Sequence, residues 1–279
     1  MNRRDFISGS TGAMVAGALL TSDSVAADKP GDLRLATFRF DVTPPEGHSL
    51  CGGWIRPVVG VDDPLEAMGY VLLGIGKPIV VCAVDWTGLA NSAHIQWRKA
   101  LADAAKTTID RVAVQCVHQH NAPFACMDAQ AIVQEQGDLP DIVNPVFFDR
   151  CLKNAGDAVT KSLKKTTPVT HIAHGEARVE KVAANRRIIG LNGKLISQRG
   201  SSSRKPEHHR FPEGLIDPML KTVAFYNGNK KLVASHFYAC HPMSYYGDGR
   251  VSADFCGLAR RRMQKQEPVS YTHLRAHET

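Results

Sequence analysis

Two apolar, β-branched segments of the sequence each end in histidine, and this pattern constrains the fold more than any other feature. Residues 111–117 lead into His118-Gln-His120, and residues 232–240 lead into His241. Short runs rich in Val and Ala and bounded by turn residues predict strands. Imidazoles are good ligands for Zn²⁺, and strands hold such side chains in place. The sequence therefore predicts a sheet that brings histidines together from distant parts of the chain.

Strand and helix patterns follow one another along the rest of the sequence. The predicted strands are 34–40, 67–74, 78–84, 111–117, 169–177, 222–226 and 232–239, and the predicted helices are 91–106, 144–164 and 253–264. Residues 121–143 show no clear period, so we expect them to be irregular. Because some strands are paired by hairpin turns while others flank helices, we expect an α/β fold with a mixed β-sheet and flanking helices.

The first residues have the pattern of an export signal rather than of a folded segment. Arg3 and Arg4 form a twin-arginine motif, a Gly/Ala-rich apolar stretch follows, and Ala26-Ala27 supplies small residues suited to cleavage. The apolar stretch is too short to span a bilayer. We therefore expect residues 1–27 to be a twin-arginine-type signal peptide and the protein to be periplasmic or extracellular.

The charge and the cysteines indicate which partners to expect. A formal net charge of +7 favours anionic partners, so we expect peripheral contact with an anionic membrane surface. Nucleic acid is not an expected partner, because aromatic residues make up only 7% of the chain and no basic stripe is interleaved with them. The cysteines form no Cys-x-x-Cys pair, which argues against a structural zinc knuckle.

The residues around the two strand ends are the candidates for a functional site. In an extended segment, His118 and His120 point to the same face because they are two residues apart. Asn121 then begins a turn that ends at a proline. Ser252 is expected to cap the last predicted helix, and Asp254 lies in its first turn. Two interpretations of Asp254 stay open: it complements the helix dipole, or it orients a group of the site.

A series of short motifs resembles, in order, the catalytic N-terminal domain of the neutral/alkaline (non-lysosomal) ceramidase family. The motifs are Asp41-Val-Thr-Pro-Pro45, Asp63-Pro-Leu65, Asp85, His118-Gln-His120-Asn-Ala-Pro123, Asn185-Arg186-Arg187, His241-Pro-Met-Ser244 and Val251-Ser-Ala-Asp254. Each motif is short, but their ordered combination is fairly specific. The chain looks most like the shorter bacterial members of the family, whose substrates are largely unassigned.

This resemblance implies a role for each matching residue. His118 and His241 would be zinc ligands, and His120 would position the substrate carbonyl and its oxyanion. Arg186 would help to stabilise the same negative charge. Bound Zn²⁺ activates water and polarises a carbonyl group. The resemblance thus implies zinc-dependent hydrolysis of the amide bond in an N-acylated lipid, with ceramide as the type substrate.

The resemblance also implies roles for residues around these groups and bears on the extent of the domain. Asn121, Ser252 and Asp254 would orient the site or contact the substrate. The family completes its zinc site with a glutamate and a tyrosine from sequence beyond the last residue of this chain. We therefore expect residues 28–268 to be an incomplete catalytic domain that is inactive alone. Residues 269–279 resemble translated sequencing-adaptor sequence, so we expect them to be extraneous.

Two alternative functions stay open at this point. The first is an exported amidase or esterase that acts on a non-lipid substrate, either a soluble small molecule or part of the cell wall. The second is a non-catalytic protein that uses the same scaffold for binding. Bound zinc and chelator-sensitive hydrolysis would distinguish an enzyme from a binding protein.

Overall fold

The computed structural model describes residues 33–74, 76–201, 203 and 205–266 in full, and residues 270–274 by their backbone alone. The predicted signal peptide therefore lies outside the described residues. The backbone of residues 270–274 forms a strand, and the other residues of the predicted tail, 269 and 275–279, lie outside the described residues. The extraneous origin of residues 269–279 stays a prediction.

The described chain has a mixed α/β fold, as the sequence predicts. The helices are α1 (Asn91–Ala105), α2 (Met127–Glu135), α3 (Pro145–Ser162) and α4 (Asp254–Gln266), with short 3-10 helices at Cys51–Gly53, Ile109–Arg111 and Pro206–Arg210. The strands are β1 (Arg34–Asp41), β2 (Gly60–Val61), β3 (Glu66–Leu73), β4 (Ile79–Val84), β5 (Gly88–Ala90), β6 (Val112–Cys116), β7 (Phe124–Cys126), β8 (Thr167–Pro168), β9 (His171–Arg178), β10 (Arg187–Ile189), β11 (Leu195–Gln198), β12 (Met219–Asn227), β13 (Lys230–Phe237), β14 (Arg250–Val251) and β15 (Ser270–Leu274). None of the described helices is both long and apolar enough to cross a membrane.

Two mixed sheets organise the described chain. The first has the strand order β6-β4-β3-β1-β8, in which β4 and β6 are parallel and the other pairs are antiparallel. The second has the order β15-β13-β12-β9, in which β13 and β15 are parallel. The predicted hairpins β3–β4 and β12–β13 are confirmed. Shorter pairs join β2 to β14, β5 to β7 and β10 to β11.

The first sheet is buried on both faces. Successive side chains of each strand point to opposite sides, so one strand contributes to two different cores. On one face, Ala36 and Phe38 of β1 join the main core, to which α1 and α3 contribute Trp97 and Phe148. On the other face, Leu35 joins a smaller core with Val233 of the second sheet. Fully burying one such large apolar side chain stabilises the fold by about 1.5–3 kcal/mol. Helices therefore lie on one side of the first sheet, and the second sheet packs on the other.

The expectation that residues 121–143 are irregular is wrong. Residues 124–126 form β7, and residues 127–135 form α2. The buried side chain of α2 is Gln130, whose amide oxygen accepts hydrogen bonds from the backbone N–H groups of Ile142 and Val143 at 2.7 and 3.1 Å. A helix that is anchored by a buried amide gives no apolar 3.6-residue period, which is why the sequence pattern missed it.

A buried ion pair attaches α4 to the first sheet. The guanidinium of Arg260 donates to both carboxylate oxygens of Asp85, at 2.9 and 2.5 Å. Arg260 is 0% exposed and Asp85 is 1% exposed, so the pair lies in the interior. Asp85 directly follows β4, and its carboxylate also accepts from the backbone N–H of Glu66 at 3.0 Å. The pair therefore fixes α4, and with it the residues that precede α4, against the ends of the strands.

Candidate metal centre

Three histidines from two distant segments meet where β6 and β13 end. His118 and His120 follow β6, and His241 follows β13. The ring centroids of His118 and His120 are 5.0 Å apart, those of His118 and His241 are 5.4 Å apart, and those of His120 and His241 are 4.5 Å apart. Their potential ligand atoms all lie within 4.8 Å of one another. The predicted convergence of His118 and His241 is therefore present in the structure.

Backbone carbonyl groups fix the protonation of two of these rings. The Nδ1 atom of His118 lies 2.7 Å from the carbonyl oxygen of Thr87, and Nδ1 of His120 lies 2.9 Å from that of Pro242. A carbonyl oxygen only accepts hydrogen bonds, so each Nδ1 must carry the proton. In the neutral ring, Nε2 is then unprotonated and has a lone pair. This arrangement is typical of histidines that bind a metal ion.

This protonation state changes what His120 can do. The resemblance implies that His120 positions the oxyanion of the substrate, which requires a hydrogen-bond donor. With its Nδ1 proton donated to Pro242, a neutral His120 offers an acceptor at Nε2 and no second donor. His120 therefore accepts a proton or binds a metal ion when neutral, and it donates to an oxyanion only after a second protonation.

The backbone at His118 has an unusual conformation. Its φ angle is +74°, in the left-handed region that only a few per cent of non-glycine residues adopt. Two hydrogen bonds impose the turn: the N–H of Val117 donates to the carbonyl of Val84 at 2.9 Å, and that of His118 donates to the carbonyl of Trp86 at 2.9 Å. Such strain is typical of functional positions that the surrounding structure holds in place.

Asn121 shapes the loop of residues 246–250 beside the histidines. Its amide nitrogen donates to the Asp248 carboxylate at 2.6 Å and to the carbonyl of Arg250 at 2.8 Å. Its amide oxygen accepts from the N–H of Gly247 at 3.1 Å. The loop places the ring of Tyr246 with its centroid 5.8 Å from that of His120. Asn121 therefore acts on the site through this loop, and the structure describes no direct contact between its side chain and the three rings.

Asp254 holds the segment that follows His241. One carboxylate oxygen accepts from the N–H groups of Ser244 and Tyr245 at 2.8 and 3.3 Å. The other accepts from the N–H of Phe255 at 2.6 Å. Asp254 is 1% exposed, so these N–H groups replace the water that a carboxylate would otherwise bind. The carboxylate therefore contacts both the loop after His241 and the first turn of α4, so both interpretations of Asp254 stay open.

Ser252 has the predicted capping role at the start of α4. Its hydroxyl oxygen accepts from the N–H of Asp254 at 3.0 Å, and its hydroxyl proton is donated to the Asp63 carboxylate at 2.7 Å. Asp63 also accepts from the N–H of Ala253 at 3.1 Å and from Arg261 at 2.5 Å. Ser252 is thus committed to the loop structure, and its predicted contact with a substrate stays a prediction.

Arg186 is exposed and directly precedes β10. Its carbonyl oxygen accepts from the N–H of Arg199 at 2.7 Å. The structure describes no contact between the Arg186 side chain and the three histidines. Its predicted role in stabilising negative charge therefore stays a prediction.

An apolar cavity is lined in part by residues that are next to the histidines in the sequence. Its volume is about 200 Å³, and its lining includes Val117, Cys240 and Pro242, which are sequence neighbours of His118 and His241. Phe255 and Leu220 also line it. The lining side chains offer few hydrogen bonds, so the cavity fits an apolar group rather than a charged one.

Three contributors to the site were not predicted from the sequence. Thr87 and Pro242 hold the imidazoles through backbone carbonyl groups, which no side-chain pattern identifies. Tyr246 approaches His120 because of the loop conformation, and its position in the sequence gave no reason to select it. The proline directly after His241 was visible in the motif, but its contact with His120 depends on the tertiary structure.

Three imidazole groups in one cluster are a suitable donor set for Zn²⁺. Among the His, Cys, Asp and Glu residues that the structure describes, His118, His120 and His241 are the group that could hold a metal ion. Zinc sites with three protein ligands keep a further position for water or substrate. The three histidines therefore offer a donor set that a metal ion such as Zn²⁺ could use.

Comparisons with known proteins support the fold. No family model matches the chain, and no curated protein matches it. The crystal structure of neutral ceramidase from Pseudomonas aeruginosa is similar, with a TM-score of 0.62 and 15% identity over 88% of this chain. A structure described as ceramidase complexed with C2 is also similar, with a TM-score of 0.61 and 15% identity over 88% of this chain. The chain spans 38% of the length of each of these proteins. At this identity the likeness establishes a ceramidase-like fold.

Proposed function

We propose that this protein is a zinc-dependent hydrolase that cleaves the amide bond of an N-acylated lipid. The observation that carries the proposal is the convergence of three imidazoles, two of which have Nδ1 anchored to a carbonyl oxygen. The ceramidase-like fold supports the same conclusion, because the two similar structures are both described as ceramidases.

Two histidines would hold the metal ion. His118 has Nδ1 bound to the carbonyl of Thr87, so its metal-binding atom would be Nε2. His241 would provide the second ligand from the other segment. When bound, zinc would polarise the amide carbonyl and lower the pKa of a water molecule.

His120 would move the proton in this reaction. Its Nε2 atom is unprotonated when the ring is neutral, so it can accept a proton from the attacking water and return it to the leaving amine. The hydrogen bond from Nδ1 to the Pro242 carbonyl holds the ring in one orientation during both transfers. Burial at 8% exposure limits competition from bulk water.

The apolar cavity supports a lipid rather than a soluble substrate. Val117 and Pro242 line it and are adjacent in sequence to the histidines, so an amide held at the cluster could extend an apolar chain into it. Burying such a chain contributes about 0.8 kcal/mol per CH₂ group.

We also propose that the protein is exported, which rests on the twin-arginine motif alone.

The test is release of fatty acid from a ceramide, measured together with bound zinc in the same samples. We expect this chain to bind zinc. In a protein that also supplies the remaining zinc ligands implied by the family resemblance, we expect release that stops on addition of a chelator and returns with added zinc. The chain spans 38% of each ceramidase structure, so an absence of hydrolysis alone would have two explanations. Bound zinc without hydrolysis would indicate that a catalytic group is missing, whereas no bound zinc would indicate that the metal site does not form. A protein that binds no zinc, or release that a chelator leaves unchanged, would contradict the proposal.

A short-chain amide that lacks a lipid tail is the matched substrate for this assay. If the cavity holds the acyl chain, kcat/KM should be higher for the long-chain amide than for the short one. Equal values would favour an amidase or esterase that acts on a non-lipid substrate. Stoichiometric zinc without hydrolysis of either substrate would favour a binding protein.

A further inference from the structure

A second, basic cavity lies at the opposite edge of the first sheet from β6. It is an open groove of about 820 Å³ between β1, the end of α3 and the start of β13. Its cationic lining residues are Arg39, Lys161, Lys165, Lys230 and Lys231. We refer to this cavity as the basic groove.

The lining of the basic groove carries a net positive charge. Among the described residues that line it, five are cationic and none is Asp or Glu. Glu66 forms an ion pair with Arg39, which offsets one of these charges. The positive charge of this lining attracts an anion.

Polar and apolar groups are arranged around these charges. Thr37 and Thr167 provide hydroxyl groups, and Gln264 provides an amide. Leu35 and Leu232 provide an apolar wall. Ammonium, hydroxyl and amide groups together match the oxygen atoms of a phosphate group, and the apolar wall would accept a chain attached to it.

The basic groove is separate from the histidine cluster. The strand order places β1 and β8 at the opposite edge of the sheet from β6, which leads into His118. Helix α4 connects the two regions, because Asp254 contacts the loop after His241 and Gln264 lines the groove. Those two residues are about 15 Å apart along a helix that rises 1.5 Å per residue.

The geometry points to a binding site for a phosphate group in the basic groove, either as free phosphate or as the headgroup of an anionic phospholipid. Lys161 lies in the last turn of α3, Lys165 follows that helix, and Lys230 and Lys231 are the first residues of β13. This site is independent of zinc and of the proposed hydrolysis.

The test compares two double variants of the full 279-residue chain. The groove variant is Lys161→Gln with Lys165→Gln. The control variant is Lys99→Gln with Lys153→Gln, which removes the same net charge at exposed positions outside the groove. Calorimetry at low salt measures binding of inorganic phosphate, and flotation measures binding to vesicles with and without phosphatidylglycerol in phosphatidylcholine.

We expect the groove variant to bind phosphate or phosphatidylglycerol vesicles about tenfold more weakly than the unsubstituted chain, because two charge-assisted contacts are lost. The control should change by less than about twofold. An effect with inorganic phosphate shows that a free phosphate group suffices, and an effect with vesicles alone shows that the headgroup must be attached to lipid. Equal losses in both variants, or no binding in either assay, would overturn the proposal.

Discussion

Replacement of Arg260 by methionine should destabilise the protein strongly, because it removes one partner of a buried ion pair. Arg260 is 0% exposed and donates twice to Asp85, which is 1% exposed. Breaking such a pair from one side costs about 3–5 kcal/mol. Asp85 keeps one donor, the N–H of Glu66 at 3.0 Å, so we expect a loss near 3 kcal/mol.

Denaturant unfolding of a double-mutant cycle measures this effect. Asp85→Asn combined with Arg260→Met should cost less than the sum of the two single substitutions, because the double variant leaves no buried charge in this pair. The coupling should exceed about 1 kcal/mol. A loss below about 1 kcal/mol for Arg260→Met alone, or additive losses in the cycle, would refute the reasoning.

Three further substitutions test other parts of the structure. Burial lowers the pKa of His48 below 6.5, although the Ser49 carbonyl and Asp141 oppose this shift. As the pH falls below 6.5, His48 is therefore protonated in the unfolded chain before it is protonated in the folded chain, and the free energy of unfolding should decrease. In His48→Gln the free energy of unfolding should depend less on pH over this range. The same pH dependence in the variant and in the unsubstituted chain would contradict this. Asp254→Asn should weaken zinc binding about tenfold, because it disturbs the segment that follows His241. Competition with a chelating dye measures the change in zinc affinity. An unchanged affinity would mean that this segment holds its position without the carboxylate. His120→Ala should retain zinc, which metal analysis measures, and should abolish fatty acid release in a protein that supplies the remaining zinc ligands. Loss of zinc would instead make His120 a third ligand.

The elements that carry the histidines were predictable because their patterns are local. The strand before His118 is a β-branched run, and the hairpin that ends near His241 has a Gly-containing turn. Helix α3 shows a 3.6-residue apolar period and a capping Asn144, whose side chain accepts from the N–H of Phe147 at 2.9 Å. These signals depend on residues that are close in sequence, so one sequence suffices to find them.

The contacts that complete the site were not predictable because they join distant residues or use the backbone. The pairing of Asp85 with Arg260 links β4 to α4, and either residue alone looks like a surface charge in the sequence. The carbonyl groups of Thr87 and Pro242 are present in any sequence and become specific only in the fold. Such contacts determine the protonation and position of the histidines, and the sequence supplies only the imidazoles.

Zinc stoichiometry of the purified chain tests the central claim most directly. We expect about one zinc ion per unsubstituted chain and a large loss of affinity in His118→Ala and in His241→Ala, because each removes a ligand from a different segment. His209→Ala is the matched control, since His209 is exposed and outside the histidine cluster. Zinc binding that is unchanged in His118→Ala and His241→Ala, or lost equally in His209→Ala, would contradict a metal centre at these residues.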